Sequence, residues 1–268
     1  MIVNALTIAG VDPSGGAGIY ADLKTFSALG AYGMGVVTAL TAQNTCGVSA
    51  VSPVPVDFVT AQLESIFADI RVDVVKIGML GTPELALTVA HGLKGKSYGP
   101  LVVDPVMIAK SGHALLSPDA VETLKKEILP LADIITPNIP EAAVLIGQRN
   151  ASTLEEMKIT ARAVRKLGPK IVVLKGGHLD GSESFDIVDT GTEQHVLTAS
   201  RIATVNTHGT GCTLSAAIAA LLPHYPDHPI DAIRAAKKYL TQALAAANEL
   251  KVGGGHGPVH HFHAWWKR

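Results

Sequence analysis

The chain has 268 residues, 47% of them apolar and only 4% aromatic, with 22 Lys+Arg against 23 Asp+Glu for a net charge of −1. A mean hydropathy of +0.30 speaks against disorder. The even charge balance leaves no basic footprint for nucleic acid and no polybasic anchor for a membrane surface. Two cysteines, Cys46 and Cys212, make no disulfide framework and suit a reducing cytoplasm.

Residues 4–9 read as a short buried strand with no basic leader before it, hence not as a signal peptide. A Gly/Pro/Ser loop follows over 10–18, then a helix over about 19–29. Residues 33–42 form a second apolar strand closing on Gln43 and Asn44. No charged residue occurs between Thr25 and Val56, yet Gly, Pro, Asn and Gln interrupt that interval too often for a membrane span. A helix is expected over 57–69 and a strand over 72–77. Thr82, with Pro83 at the first turn, caps the next helix. Strands at 101–103 and 134–135 flank a helix that begins at Ser117-Pro118-Asp119. Thr153 caps a helix to Leu167, and residues 170–174 form a strand that runs into Lys175-Gly176-Gly177. Two weaker strands, near 185–189 and 196–198, read as a hairpin or edge pair. A final helix runs from Pro229 to about Leu250.

This alternation predicts a single α/β domain over residues 1–268, a three-layer, doubly wound, mostly parallel sheet. Ligands in such sheets sit at the carboxyl ends of the strands. Gly10, Gln43, Gly78, Asp104, Asn138 and Lys175 fall at or just after those ends.

The most telling stretch is Thr207-His208-Gly209-Thr210-Gly211-Cys212, which runs into an alanine-rich helix. Two glycines free the backbone to turn several N–H groups toward one point, and a helix start adds unpaired donors. That is an anion site, and Cys212 lies inside it, where a helix N-terminus lowers a thiol pKa. The bland alternative is a glycine turn with a small core cysteine. Gly16-Ala17-Gly18-Ile19-Tyr20-Ala21 fits the dinucleotide fingerprint and raises a nicotinamide oxidoreductase. Its loop is long, however, and the second strand ends in Gln43, not in an acid for a ribose. Gly95-Lys96-Ser97 is no P-loop, because the glycine required five residues earlier is Ala90. Asp104 at a strand end, and Asn138 with Glu141 three residues on, suit Mg-phosphate handling or helix capping. Asp22, Lys24 and Lys237 read by default as helix surface charges. The tail His256-Gly257-Pro258-Val259-His260-His261-Phe262-His263-Ala264-Trp265-Trp266 is histidine-rich but matches no zinc spacing. It reads as a segment docked by its two tryptophans.

Residues 9–19 (AGVDPSGGAGI) with Ala21-Asp22-Leu23-Lys24-Thr25-Phe26, Lys76-Ile77-Gly78-Met79-Leu80, Asp104-Pro105-Val106-Met107, Thr136-Pro137-Asn138 with Glu141, residues 207–212 and the tail Gly257-Pro258-Val259-His260-His261-Phe262 together resemble the hydroxymethylpyrimidine/phosphomethylpyrimidine kinases of the ribokinase-like superfamily. The match runs in order over essentially the whole chain. The resemblance implies ATP- and Mg2+-dependent phosphorylation of 4-amino-5-hydroxymethyl-2-methylpyrimidine and then of its monophosphate, in thiamine biosynthesis. It implies a cytoplasmic homodimer with no nucleic-acid or membrane partner. By the same resemblance Gly10, Asp22, Gln43, Met79 and Val106 line the pyrimidine pocket. Gly209, Gly211 and Cys212 form the catalytic anion hole. Asp104, Asn138, Glu141, Lys175 and Lys237 serve the nucleotide, with Asp104 and Glu141 toward the metal. Most ribokinase-like enzymes have Asp where this chain has Cys212, which disfavours sugar kinases and leaves pyridoxal kinases as the nearest alternative. Cys212 is then expected to take the hydroxyl proton in the first phosphorylation only.

Overall fold

Strand β1 (Asn4–Val11) is buried from Ala5 to its end, as a strand covered on both faces must be. The computed structural model describes residues 1–107, 116–177, 179 and 181–266. After β1 come α1 (Gly18–Ala28), β2 (Tyr32–Asn44), β3 (Gly47–Pro53), α2 (Val56–Asp69), β4 (Val74–Ile77), α3 (Pro83–Leu93) and β5 (Leu101–Val103). Then follow α4 (Pro118–Thr123), β6 (Ile134–Ile135), α5 (Ile139–Ile146), α6 (Leu154–Arg165), β7 (Ile171–Lys175), β8 (Glu183–Asp189), β9 (Gln194–Ser200), α7 (Thr210–Leu221) and α8 (Pro229–Ala245).

These strands make a nine-stranded sheet in the order β3-β2-β1-β4-β5-β6-β7-β8-β9. The block from β2 to β7 is parallel. Strand β3 is antiparallel to β2 at one edge, and β8 and β9 are antiparallel at the other. From β1 the chain steps to β2 on one side and returns to β4 on the other. A topological switch point therefore lies at the carboxyl end of β1, where such sheets leave a crevice.

Alternation along the strands feeds two cores. Leu6 and Ile8 face Val59, Leu63, Leu85, Val89, Leu145 and Met157 on the side of α2 to α6. Ala5, Val74, Val102 and Val173 face Phe26, Ala217 and Ile233 on the side of α1, α7 and α8. Helix α7 is buried from Thr213 to Ala220. Its run of Ala and Ser residues lets its backbone lie close to the sheet. Among the described residues, no helix is long and apolar enough to cross a membrane.

The structure departs from the sequence reading in four places. Strand β3 is unforeseen, because it is an edge strand largely open to solvent and carries no apolar face. Helix α5 is anticipated only by the capping spacing of Asn138 and Glu141, since eight residues are too few for a period to show. The last helix stops at Ala245 and yields to a 3-10 turn, Ala247–Glu249. The tail docks through buried Val259, His260 and His261, whereas Trp265 and Trp266 stay 64% and 59% exposed. Trp265 nevertheless donates its Nε1–H to the Ala28 carbonyl at 2.9 Å, and Trp266 stacks on Phe262.

Candidate active site

Two glycine loops interlock above the carboxyl end of β1. Gly209, the residue before α7, has φ 73°, a conformation that favours glycine. A Cβ there would collide with the Gly16 carbonyl, and one on Gly16 would strike the His208 ring. Gly18, φ 57°, is pressed against the Gly10 carbonyl in the same way. Asp12 holds both loops. Its carboxylate accepts from Ser14 N–H and Ala17 N–H, each at 2.9 Å, and meets His208 Nε2 at 2.7 Å. The glycines of residues 16–18 thus serve loop-on-loop contact, which accounts for the fingerprint without a dinucleotide.

Helix α7 starts on this platform. Thr213 N–H returns to the Gly209 carbonyl at 2.8 Å, while the amides of Gly211 and Cys212 have no hydrogen-bond partner among the described residues. Open amides at the positive end of a twelve-residue helix attract an anion. A cation is already beside them: a Cβ on Gly211 would lie 3.2 Å from Lys175 Nζ.

Lys175 ends β7 between two carboxylates. Its Nζ donates to Asp104 Oδ1 at 2.9 Å and stands 3.9 Å from Glu141 Oε2. Burial works against the ammonium, but Asp104 and Glu141 hold its pKa above the usual range. Asp104 is itself filled with donors. Thr136 Oγ1 gives to Oδ1 at 3.1 Å and Ser215 Oγ to Oδ2 at 3.3 Å. Burial opposes its charge, yet Lys175 and Lys76 keep it below the ordinary carboxylate range. Asp104 is thus an anchor for Lys175 through Oδ1, while Oδ2 meets, among the described residues, only the Ser215 hydroxyl, at 3.3 Å.

Asn138 and Glu141 form a capping box on α5: Glu141 N–H donates to Asn138 Oδ1 at 2.8 Å, and Asn138 N–H to Glu141 Oε2 at 2.7 Å. Asn138 Nδ2 keeps no partner among the described residues. Burial, reinforced by Asp104 and opposed by Lys175, pushes the Glu141 carboxyl up to about 7. Among the described residues, no group of three His, Cys, Asp or Glu side chains could hold a metal. One carboxylate beside a lysine and two open amides would fit Mg2+ that arrives on nucleotide phosphates.

Cys212 lies near Lys76 and the Gly18 amide, both of which favour its thiolate, and near Asp22 and Asp104, which do not. Burial outweighs the favourable pair, and the thiol is pushed up to about 11. The lowering expected from the helix N-terminus is thus reversed. Lys76 is wholly buried in β4 and is paired with Asp22 at 2.9 Å. Burial disfavours its charge, but Asp22, Cys212 and Asp104 hold its pKa above the usual range.

The expected pyrimidine residues divide. Gly10 lies under Met79, whose methyl occupies the space a Cβ would need, and Thr38 Oγ1 ties the Met79 carbonyl to β2 at 2.8 Å. Gln43 lies beside the end of β1 through Thr41, whose Oγ1 is 2.9 Å from Val11 O and 3.1 Å from Gln43 Oε1 and shares its one proton between them. Val106 follows β5, its N–H turned back to the Asp104 carbonyl at 2.8 Å. Asp22 lies deeper in the protein. It is fully buried, and its oxygens take two bonds from Lys76 and one of 2.6 Å from Thr7 Oγ1. Lys237 is paired with a carboxylate. Its Nζ donates to Asp186 Oδ2 at 2.6 Å, and Asp186 accepts Gly176 N–H at 3.0 Å, so Lys237 braces the loop after Lys175.

Asp12, Lys76, His208 and Asp186 were missed as site residues. A lysine inside the apolar run Val74-Val75-Lys76-Ile77 was the legible signal, because such a charge is retained only with a partner.

The phosphomethylpyrimidine kinase family model matches residues 12–260. The chain is 54% identical over 264 residues to the hydroxymethylpyrimidine/phosphomethylpyrimidine kinase of Salmonella typhimurium, covering 98% of this chain and 99% of that protein. It is 50% identical over 258 residues to a thiamine biosynthesis bifunctional protein of Geobacter sulfurreducens, covering 96% of this chain and 52% of that protein. A solved structure of the pyridoxal kinase from Staphylococcus aureus in complex with AMP-PCP and pyridoxal superimposes with a TM-score of 0.90 at 35% identity, covering 99% of this chain and 95% of that one.

Proposed function

Because the chain belongs to the phosphomethylpyrimidine kinase family, we propose the following reading of its site. The protein is a ribokinase-like phosphotransferase that phosphorylates 4-amino-5-hydroxymethyl-2-methylpyrimidine and then its monophosphate, in thiamine biosynthesis. ATP is the donor, and the structure of the related pyridoxal kinase with AMP-PCP supports it.

The observation that carries this reading is the pair of open amides, Gly211 and Cys212, set beside Lys175 Nζ at the carboxyl ends of the strands. Phosphoryl transfer is mostly positioning and charge neutralisation. The amides and Lys175 receive the transferred phosphoryl group, Gly209 sets their direction, and Asp104 aims Lys175. Asn138 Nδ2 is left for the nucleotide. Glu141 is the carboxylate for Mg2+, which when bound neutralises phosphate charge. Gly10, Gln43, Met79 and Val106 hold the pyrimidine ring, with the Asp22–Lys76 pair behind it. Cys212 accepts the hydroxyl proton in the first transfer. The monophosphate acceptor is already ionised and needs no base.

The chain acts as one kinase domain over residues 1–268 and as a homodimer. Exposed Leu40 and Val51 on the outer hairpin, with Val56 and Phe58 at the start of α2, support a second copy there, and sedimentation tests it. Its two free cysteines suit the reducing cytoplasm. The central test offers Mg-ATP with hydroxymethylpyrimidine, its monophosphate and pyridoxal, and identifies products by mass. Mono- and pyrophosphate products are expected. Pyridoxal phosphate alone would overturn the reading in favour of a pyridoxal kinase.

A further inference from the structure

Residues 253–257 run between two parts of the site that are far apart in sequence. At one end they clasp the tip of the β2–β3 hairpin. His256 N–H donates to the Thr45 carbonyl at 2.9 Å, and Gly255 N–H to Thr45 Oγ1 at 3.2 Å. At the other end the Gly257 carbonyl accepts the His208 N–H at 3.0 Å, and His256 Nδ1 lies 3.1 Å from the Val205 carbonyl. His208 in turn holds Asp12.

The glycines make this approach possible. A Cβ on Gly253 or Gly255 would collide with Thr45, and one on Gly257 with the Asn206 side chain. Gly254 faces open space. Thr45 stands two residues beyond Gln43 on one hairpin, and His208 stands beside Gly209 at the start of the anion loop. Of the segment, Gly253, Gly254 and His256 are exposed, and none of its residues belongs to either core.

We propose that residues 253–257 are a positioning strap for the transfer. They hold the Gln43 hairpin and the anion loop at one separation, so that an acceptor bound on the first meets a phosphoryl group bound on the second. This rests on the kinase reading above. The strap acts through Thr45 and His208, the residues it bonds.

The test compares full-length wild type, Gly255→Ala and Gly254→Ala, with Thr45→Ala and Thr45→Ser as a second pair. Steady-state kinetics with hydroxymethylpyrimidine and Mg-ATP are read beside thermal melts. Gly255→Ala is expected to lower kcat/KM for the pyrimidine by about tenfold or more, since small misplacements of reactants cost large factors. KM for ATP and the melting temperature stay within about twofold and about 2 °C of wild type. Gly254→Ala behaves as wild type. Thr45→Ala moves in the same direction as Gly255→Ala, and Thr45→Ser recovers. Equal kinetics for Gly255→Ala and Gly254→Ala would overturn the strap. So would losses that track melting, or a Thr45→Ala indistinguishable from Thr45→Ser. A wild type inactive on the pyrimidine would instead overturn the kinase reading, and the same five proteins compared on pyridoxal would still decide the strap.

Discussion

At Cys212 two local fields oppose each other. The start of α7, Lys76 and the Gly18 amide favour a thiolate, while burial, Asp22 and Asp104 favour the thiol and prevail, at about 11. A base with that pKa is almost wholly protonated at pH 7, so its step should quicken about tenfold per pH unit between pH 8 and 10. Single-turnover rates with the alcohol are expected to rise in that way, and those with the monophosphate to stay flat. Two flat profiles, with equal slowing of both steps by Cys212→Ala, would leave Cys212 a part of the anion hole only. The ion pair behind it allows a second prediction. Asp22→Asn strands a buried ammonium and should cost about 3–5 kcal/mol, read as a fall in melting temperature. Asp22→Leu combined with Lys76→Met should regain most of that stability without regaining activity. From sequence, Cys212 could be located but not titrated, because the opposing carboxylates come from α1 and the end of β5. The orientation of Asp22 is not legible in sequence, because it depends on Lys76, 54 residues away.

Among the elements, the short parallel strands were legible because each is an apolar run ended by a polar or glycine residue. Strand β3 was not, since its stability comes from pairing with β2 and not from burial. The capping box on α5 was read as a possible nucleotide site because Asn and Glu three apart serve both purposes equally well. Replacing the cap, Asn138→Ala, should cost about 1 kcal/mol and weaken ATP binding measured by calorimetry, since the freed Asn138 Nδ2 goes with it. The interlocked loops are less forgiving. Gly209→Ala forces a side chain into a left-handed conformation, worth about 1–3 kcal/mol of strain, and into the Gly16 carbonyl. Its turnover should fall far more than its melting temperature, because the displaced turn aims the Gly211 and Cys212 amides.

Over the whole molecule, the buried tail links stability to pH. His261 meets Thr213 Oγ1 at 3.1 Å through Nε2, and its carbonyl accepts the Tyr239 hydroxyl at 2.7 Å. Burial, with Lys24 and neighbouring histidines, depresses it to about 3. Below its ordinary value of about 6.5 the unfolded chain binds the extra proton, so this contribution is present above about 6.5 and drains away as pH falls toward 3, by up to about 1.4 kcal/mol per unit. Glu141 has the opposite sign. Raised from 4.5 to about 7, it stabilises below 4.5 and loses that contribution as pH rises through 7. The two oppose each other between about 4.5 and 6.5, where melting temperature should vary little. Glu141→Gln should uncover a clear decline toward acid in the same melts. The tail also bears on how the enzyme is made. Asp12 and His208 are 196 residues apart, Thr45 and Gly255 are 210, and Ala28 and Trp265 are 237. Among the described residues, all nine strands precede the glycine turn at 209–211 in the chain. During synthesis, which folds from the N-terminus, a nascent polypeptide stopped at Ser200 would carry the entire sheet and still be unable to spend ATP. The turn that the proposed transfer needs is thus made only after the sheet that carries it.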